Sequence, residues 1–297
     1  MKNGVMKQGV AYDVFYVVNI VFLSLTALLC LLPMFNILAI SLSNATNARA
    51  GDVTFWPVNF TVASYQVAFS NKFFWSSLTI SLERVLLGTT ITMFMNIITA
   101  YPLSRDSGYF KARKYWIWYF FFPTLFGGGL IPTFLVVKFT GLYNTIWALV
   151  IPGCAGIWNC ILMLNFFRQL PKELEEAAIM DGAGHMTVLW RIIVPVSKPV
   201  LATVALFTMV GHWNDWFAAL IYSNGPQHYP LQTYLQSMLN LDLTKVTDFK
   251  QRQLLEQMSP KTLRAAMVFI TALPILMVYP FLQKHFAKGL VLGSVKG

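Results

Sequence analysis

Two groups of residues in this 297-residue chain have the types and spacing to do chemistry. The first is the polar block from Leu170 to Pro195, in which Glu173, Glu175, Glu176 and Asp181 surround Ala177 and Ala178. Small side chains let a surface enter a pocket closely, and flanking carboxylates are what arginines grip with charge-assisted hydrogen bonds. The second is Gly211-His212-Trp213-Asn214-Asp215-Trp216, set inside an apolar stretch, with Glu83 and Arg84 inside another. Aromatic faces beside amides and carboxylates are the groups that hold sugar hydroxyls and ring faces. A charge facing lipid costs at least ~2.5 kcal/mol at mid-depth, so Asp215 should face a cavity or a partner. His212 and Asp215 stand three apart and could instead pair with each other and lock helix packing. Glu83 and Arg84, as sequence neighbours, point in different directions, so at least one needs a partner on another helix or a place along a path.

Helical elements must position these groups. Pro171 suits a first turn, Glu173, Glu175 and Glu176 follow where the helix dipole favours carboxylates, and Gly182 suits a left-handed cap. The block therefore predicts a helix from about Pro171 to Asp181, with Leu174, Ala177, Ala178 and Asp181 on one face and Glu173 and Glu176 beside it. A second helix, His185 to Ile193, places Met186, Leu189, Trp190 and Ile193 on one face and ends before Pro195. Gly182 is the hinge between them.

The rest of the chain is oily: 56% hydrophobic, 11% charged, mean hydropathy +0.57. That composition is an integral membrane protein's. Six apolar stretches reach the roughly 20 residues that a helix needs to span. They run over about 13–40, 73–101, 115–137, 142–167, 199–222 and 264–286. The first is too long for a cleavable signal peptide and lacks a small-residue cleavage site. Along the fifth, Leu201, Ala205, Thr208, His212, Asp215 and Ala219 form a small or polar stripe, and the Gly211–Trp216 segment lies about 18 Å in. Gly127-Gly128-Gly129, with Pro123 and Pro132, interrupts the third, which reads as close helix contact or as a hinge.

Basic residues set the orientation. With the N-terminus inside, Lys2, Lys7, Arg105, Lys111, Arg113, Lys114, Arg168, Lys172, Arg191, Lys198, Lys284, Lys288 and Lys296 are cytoplasmic, as are both termini and the 169–195 loop. Cytoplasmic anchoring accounts for the net charge of +10 without nucleic acid. Outside lie residues 41–72, with the aromatic Phe55-Trp56-Pro57, and residues 223–263, with a short helix expected around Thr247 to Met258. Cys30, Cys154 and Cys160 read as packing residues, and the four histidines are scattered with no metal spacing. A Gly-x-x-x-x-Gly-Lys-Ser/Thr phosphate loop is missing, so ATP chemistry would belong to a partner. The expectation is a single 1–297 transmembrane domain, not an enzyme, with no cofactor and no metal.

Glu176-Ala177-Ala178, Asp181-Gly182-Ala183 and Ile192-Ile193-Val194-Pro195 resemble the EAA loop of permease subunits in binding-protein-dependent ABC importers; Val194 departs from the family's usual leucine. A solvated amphipathic loop is the plainer alternative. Ala100-Tyr101-Pro102-Leu103-Ser104-Arg105, Gly128-Gly129-Leu130-Ile131-Pro132, Gly211 to Trp216, Tyr229-Pro230-Leu231-Gln232 and the ending Gln283 to Gly297 resemble the carbohydrate branch that includes lipoprotein-associated and polygalacturonan or rhamnogalacturonan importers. The resemblance implies a type I ABC importer permease in a bacterial cytoplasmic membrane. Its implied partners are a second, different permease, a cytoplasmic ABC ATPase dimer and an extracytoplasmic sugar-binding protein. It assigns ATPase coupling to Glu173, Glu176, Ala177, Ala178, Asp181 and Gly182. The residues alone suggest Arg84, His212, Trp213, Asn214, Asp215 and Trp216 for a substrate path. A self-contained secondary transporter, with Glu83, Arg84 and Asp215 as coupling residues, is the rival; it would have no use for the Glu176 loop.

Overall fold

The computed structural model describes residues 10–106, 108, 110–239 and 260–294. The helix expected around Thr247 to Met258, and Lys2, Lys7 and Lys296, lie outside the described residues. Every regular element among the described residues is helical. The chain divides into two compact units, residues 1–70 with 241–271 and residues 71–240 with 272–297.

The first unit opens with α1, Val10–Ser41, whose apolar side chains are exposed all round through its membrane-length stretch. A helix hydrophobic on every side has no polar face to give to water and belongs among lipid or other helices. Its C-terminal end packs Ala39 and Ile40 against Ala48, Val53 and Ala265. Polar side chains add to this packing in the segment after α1. Asn44 caps α2, Ala45–Ala50, by accepting from Thr46 N, and Asn36 donates to Thr54 O at 2.6 Å. Tyr65 on α3, Ala63–Ser70, hydrogen bonds Ser41 at 2.7 Å, and burial raises its hydroxyl above the ordinary tyrosine range. Helix α15, Pro260–Ser294, contributes Thr262, Leu263, Ala266, Met267, Ile270 and Thr271 as a buried stripe at helical spacing.

The second unit is organised around α4, Lys72–Ser104, which Asn71 caps by accepting from Phe73 N. Its buried face carries Ser77, Ser81, Arg84, Gly88, Thr92 and Asn96, small or polar residues that let neighbouring helices approach closely. Helices α8, Ile157–Gln169, and α12, Lys198–Asn214, pack along it. The core joins Ile97, Ala100 and Tyr101 of α4 to Cys160, Met163 and Phe167 of α8, Val204 of α12, and Val188, Leu189 and Ile193 of the second loop helix. The middle stretches are broken helices. Helices α5, Arg113–Leu125, and α6, Leu130–Phe139, meet at 118° across the glycines, where Gly129 adopts φ +80. Helix α7, Ile146–Val150, with the turn Ile151–Gly153, meets α8 at 48°.

Among the described residues, three helices are singly long and apolar enough to cross a membrane: Tyr12–Ser41, Lys72–Ser104 and Pro260–Val278. The number rises to six if each bent pair is one span. The fifth expected span, 199–222, is not one helix. It breaks after Asn214 and resumes as α13, Phe217–Tyr222. Beyond it, α14, Leu231–Leu239, buries Leu231, Tyr234 and Leu235, and burial pushes the Tyr234 hydroxyl up to about 12.

Candidate functional site

The polar block folds as two short helices. The first, α9, runs Glu173–Met180 and so starts two residues later than Pro171. Gly182 ends it at φ +84, a left-handed conformation that only glycine takes without strain. The Gly182 and Ala183 amides close the turn on Ile179 O and Ala178 O at 2.9 Å each. The second helix does not stop before Pro195. After α10, His185–Val188, a π turn over Leu189–Ile193 sends Val194 N back to Leu189 O, and the wider turn carries the chain through Pro195 to the end of α11, Val194–Val196. Lys198 then starts α12 at 83° to this rod.

The predicted face of α9 is split. Glu173, Leu174, Glu176, Ala177, Met180 and Asp181 are exposed, while Ala178 packs against the core. Glu175 is buried, at 7% exposure. Its Oε1 accepts from Tyr101 Oη at 2.8 Å, and its Oε2 pairs with Arg105 Nη1 at 2.7 Å. The Arg105 guanidinium lies over the Tyr101 ring at 4.7 Å. Sequence reading grouped Glu175 with the dipole-favoured acids and missed this, because its partners lie far back along the chain. The available signal is three acids within four residues, Glu173, Glu175 and Glu176, on a helix whose faces cannot all be exposed. Next to the cluster, Lys172 and Asp106 pair at 2.7 Å on the surface, and the Lys172 ammonium holds the Asp106 carboxyl below the usual range. Being exposed, that pair adds little stability. An open cavity of about 380 Å³ between Arg105, Arg113, Arg168 and Glu176 adjoins this end of the loop.

The second group comes together at the break in the fifth stretch. Arg84, 2% exposed, donates through Nη1 to Asp215 main-chain O at 2.6 Å and through Nη2 to the Asp215 carboxylate. The other carboxylate oxygen of Asp215 accepts from Phe217 N at 3.1 Å and Ala218 N at 3.2 Å, which caps α13. One aspartate thus starts a helix and neutralises a buried arginine. His212 does not pair with Asp215; its ring lies against the Gly88 backbone of α4. Trp213, one of the residues suggested for the path, is 5% exposed and packs inward. Asn214 and Trp216, on either side of Asp215, are exposed. Glu83 is exposed, about 100° round α4 from the buried Arg84, and makes no hydrogen bond or ion pair among the described residues.

Residues 3–291 match the family model described as the binding-protein-dependent transport system inner membrane component. The chain is 42% identical over 294 residues, 98% of each chain, to Protein LplC of Bacillus subtilis (strain 168). It is 35% identical over 276 residues to the polygalacturonan/rhamnogalacturonan transport system permease protein YtcP of the same strain, covering 93% of this chain and 96% of that one. Among solved structures it resembles a chain in the crystal structure of a bacterial ABC transporter involved in the import of the acidic polysaccharide alginate. That match has a TM-score of 0.85 and 28% identity and covers 95% of this chain and 100% of that chain. The chain therefore belongs to the inner membrane components of binding-protein-dependent transport systems, and its all-helical architecture is that of a type I ABC importer permease.

Proposed function

We propose that this chain is the permease subunit of an ATP-driven importer of oligosaccharides, multi-pass in a bacterial cytoplasmic membrane, with six spans and both termini inside. An extracytoplasmic binding protein delivers the sugar, a second and different permease completes the path, and an ATPase dimer docks on the 169–195 loop. Residues 1–297 act as one permease domain.

The observation that carries the reading is α9, which offers Glu173, Glu176, Ala177 and Asp181 to the outside and turns at Gly182. A short helix with small residues between carboxylates fits a cleft lined by arginines. The carbohydrate assignment leans on relatives whose names specify polygalacturonan/rhamnogalacturonan and maltodextrin transport. Asn214 and Trp216, exposed beside the Asp215 break, supply an amide and an aromatic face for hydroxyls and sugar rings. Asp215 is committed to Arg84 and to the α13 cap, so its role is to shape the break. Glu83 faces the water-filled path or the second permease, since lipid would cost it at least ~2.5 kcal/mol.

The test is purification of the chain with its associated subunits, followed by ATP hydrolysis assays with the binding protein and a panel of neutral and uronate oligosaccharides. Co-purification of an ATPase, with hydrolysis stimulated by one sugar class, is the expected result. A chain that transports sugar in proteoliposomes without any ATPase would sink the proposal.

A further inference from the structure

Glu175 is the one buried residue of α9, and it is a carboxylate. For packing alone an apolar side chain would serve at least as well, since desolvating an ion pair offsets most of its attraction. What a hydrogen-bonded pair adds is a fixed register between the elements it joins. Tyr101 and Arg105 come from the C-terminal end of α4, so this register ties the docking helix to α4 and not to the second loop helix, which has its own apolar seat through Val188, Leu189 and Ile193.

The same α4 holds the Asp215 break through Arg84. Tyr101 lies 17 residues beyond Arg84, about 26 Å along a continuous helix at 1.5 Å per residue. Between the two anchors the helix is seated along its length, by Gly88 against His212 and by Ile97 and Ala100 in the core. A helix so packed moves as a rod rather than bending at one point.

We propose that Glu175, Arg105 and Tyr101 form a positioning clamp that locks α9 to α4, so that displacement of the docked helix reaches the Arg84–Asp215 break through α4. The proposal rests on the reading of α9 as the ATPase-docking helix. It assigns Glu175 a role distinct from that of Glu176: Glu176 faces the ATPase, and Glu175 faces inward and transmits. Without the clamp, α9 can still dock but swivels on Gly182, and ATP hydrolysis is no longer converted into opening of the path.

The experiment uses the whole complex in proteoliposomes, with short neutral and uronate oligosaccharides as cargo. Glu175→Gln, Arg105→Met and Tyr101→Phe are compared for ATPase co-purification, ATP hydrolysis and sugar taken up per ATP hydrolysed. The expected result is parental co-purification and sustained hydrolysis, with sugar per ATP reduced about tenfold in Glu175→Gln and less in Tyr101→Phe. Glu175→Gln combined with Arg105→Met should be no worse than either alone, because both remove one interaction. A parental sugar-to-ATP ratio in an assembled Glu175→Gln complex overturns the clamp. So does loss of the ATPase from Glu175→Gln and Tyr101→Phe alike, which would reduce the cluster to holding the loop folded. Glu176→Ala, run alongside, separates the two ideas: if it leaves ATPase association untouched, the docking reading fails, whatever the Glu175 variants do.

Discussion

A β-carbon placed on Gly88 would stand 2.5 Å from Nε2 of His212, so α4 and α12 meet where one has no side chain and the other has an imidazole. Gly88→Ala forces the ring or the helix to move, and overpacking of this kind costs about 1–3 kcal/mol. We expect a lower unfolding temperature for the purified complex with Gly88→Ala, partly restored by adding His212→Ala. An unchanged melting curve for Gly88→Ala would show that the contact is loose.

Asp215→Asn keeps an oxygen able to cap α13 but leaves the Arg84 charge buried without its counter-ion. Breaking a fully buried pair costs about 3–5 kcal/mol, and since Asp215 is itself 38% exposed we expect about 2 kcal/mol here. Arg84→Met combined with Asp215→Asn should be more stable than either single variant. Denaturation of the four proteins measures this coupling, and additive losses would contradict the pairing.

Glu176→Ala removes one charge-assisted contact from the docking surface, a loss of about 1.5–3 kcal/mol in ATPase association. Gly182→Val should do more harm, because a β-branched residue at φ +84 costs about 1–3 kcal/mol and re-aims both loop helices. Pull-down of the ATPase with each variant reads the effect. Retained association together with parental uptake in both would remove the docking role from the loop.

Impermeant thiol labelling tests the orientation. Ser43 is a poor reporter, being buried and accepting a hydrogen bond from Val58 N, whereas Asp52 on the same segment is exposed. In a background lacking Cys30, Cys154 and Cys160, Asp52→Cys should react in intact cells. Gly184→Cys should react only after permeabilisation. The opposite pattern would invert the topology.

Asn214→Ala and Trp216→Ala should lower sugar uptake while leaving ATPase assembly and basal hydrolysis intact, since both side chains are exposed at the break. Trp213→Ala should instead lower stability by about 3–5 kcal/mol, as expected for an aromatic residue at 5% exposure. Equal effects of Trp213→Ala and Trp216→Ala on assembly would erase the distinction drawn from burial.

The sequence by itself determined what depends on neighbours along the chain. Helical periodicity and Gly182 marked the two-helix loop, hydropathy marked the long helices α1, α4 and α15, and Gly127 to Gly129 marked the break between α5 and α6. Each is a local property, readable from a few turns. The tertiary structure alone decided which groups meet. Arg84 finds Asp215 across 131 residues and Glu175 finds Tyr101 across 74, because α4 packs against α12 and reaches the loop with its far end. No spacing rule in one helix could choose Arg84 over His212 as the partner of Asp215, or bury Trp213 while exposing Asn214. Spacing also ended the second loop helix before Pro195, where the π turn lets it continue. A buried charge needs a counter-ion, which the sequence can demand; which helix supplies it is settled only when the helices are side by side.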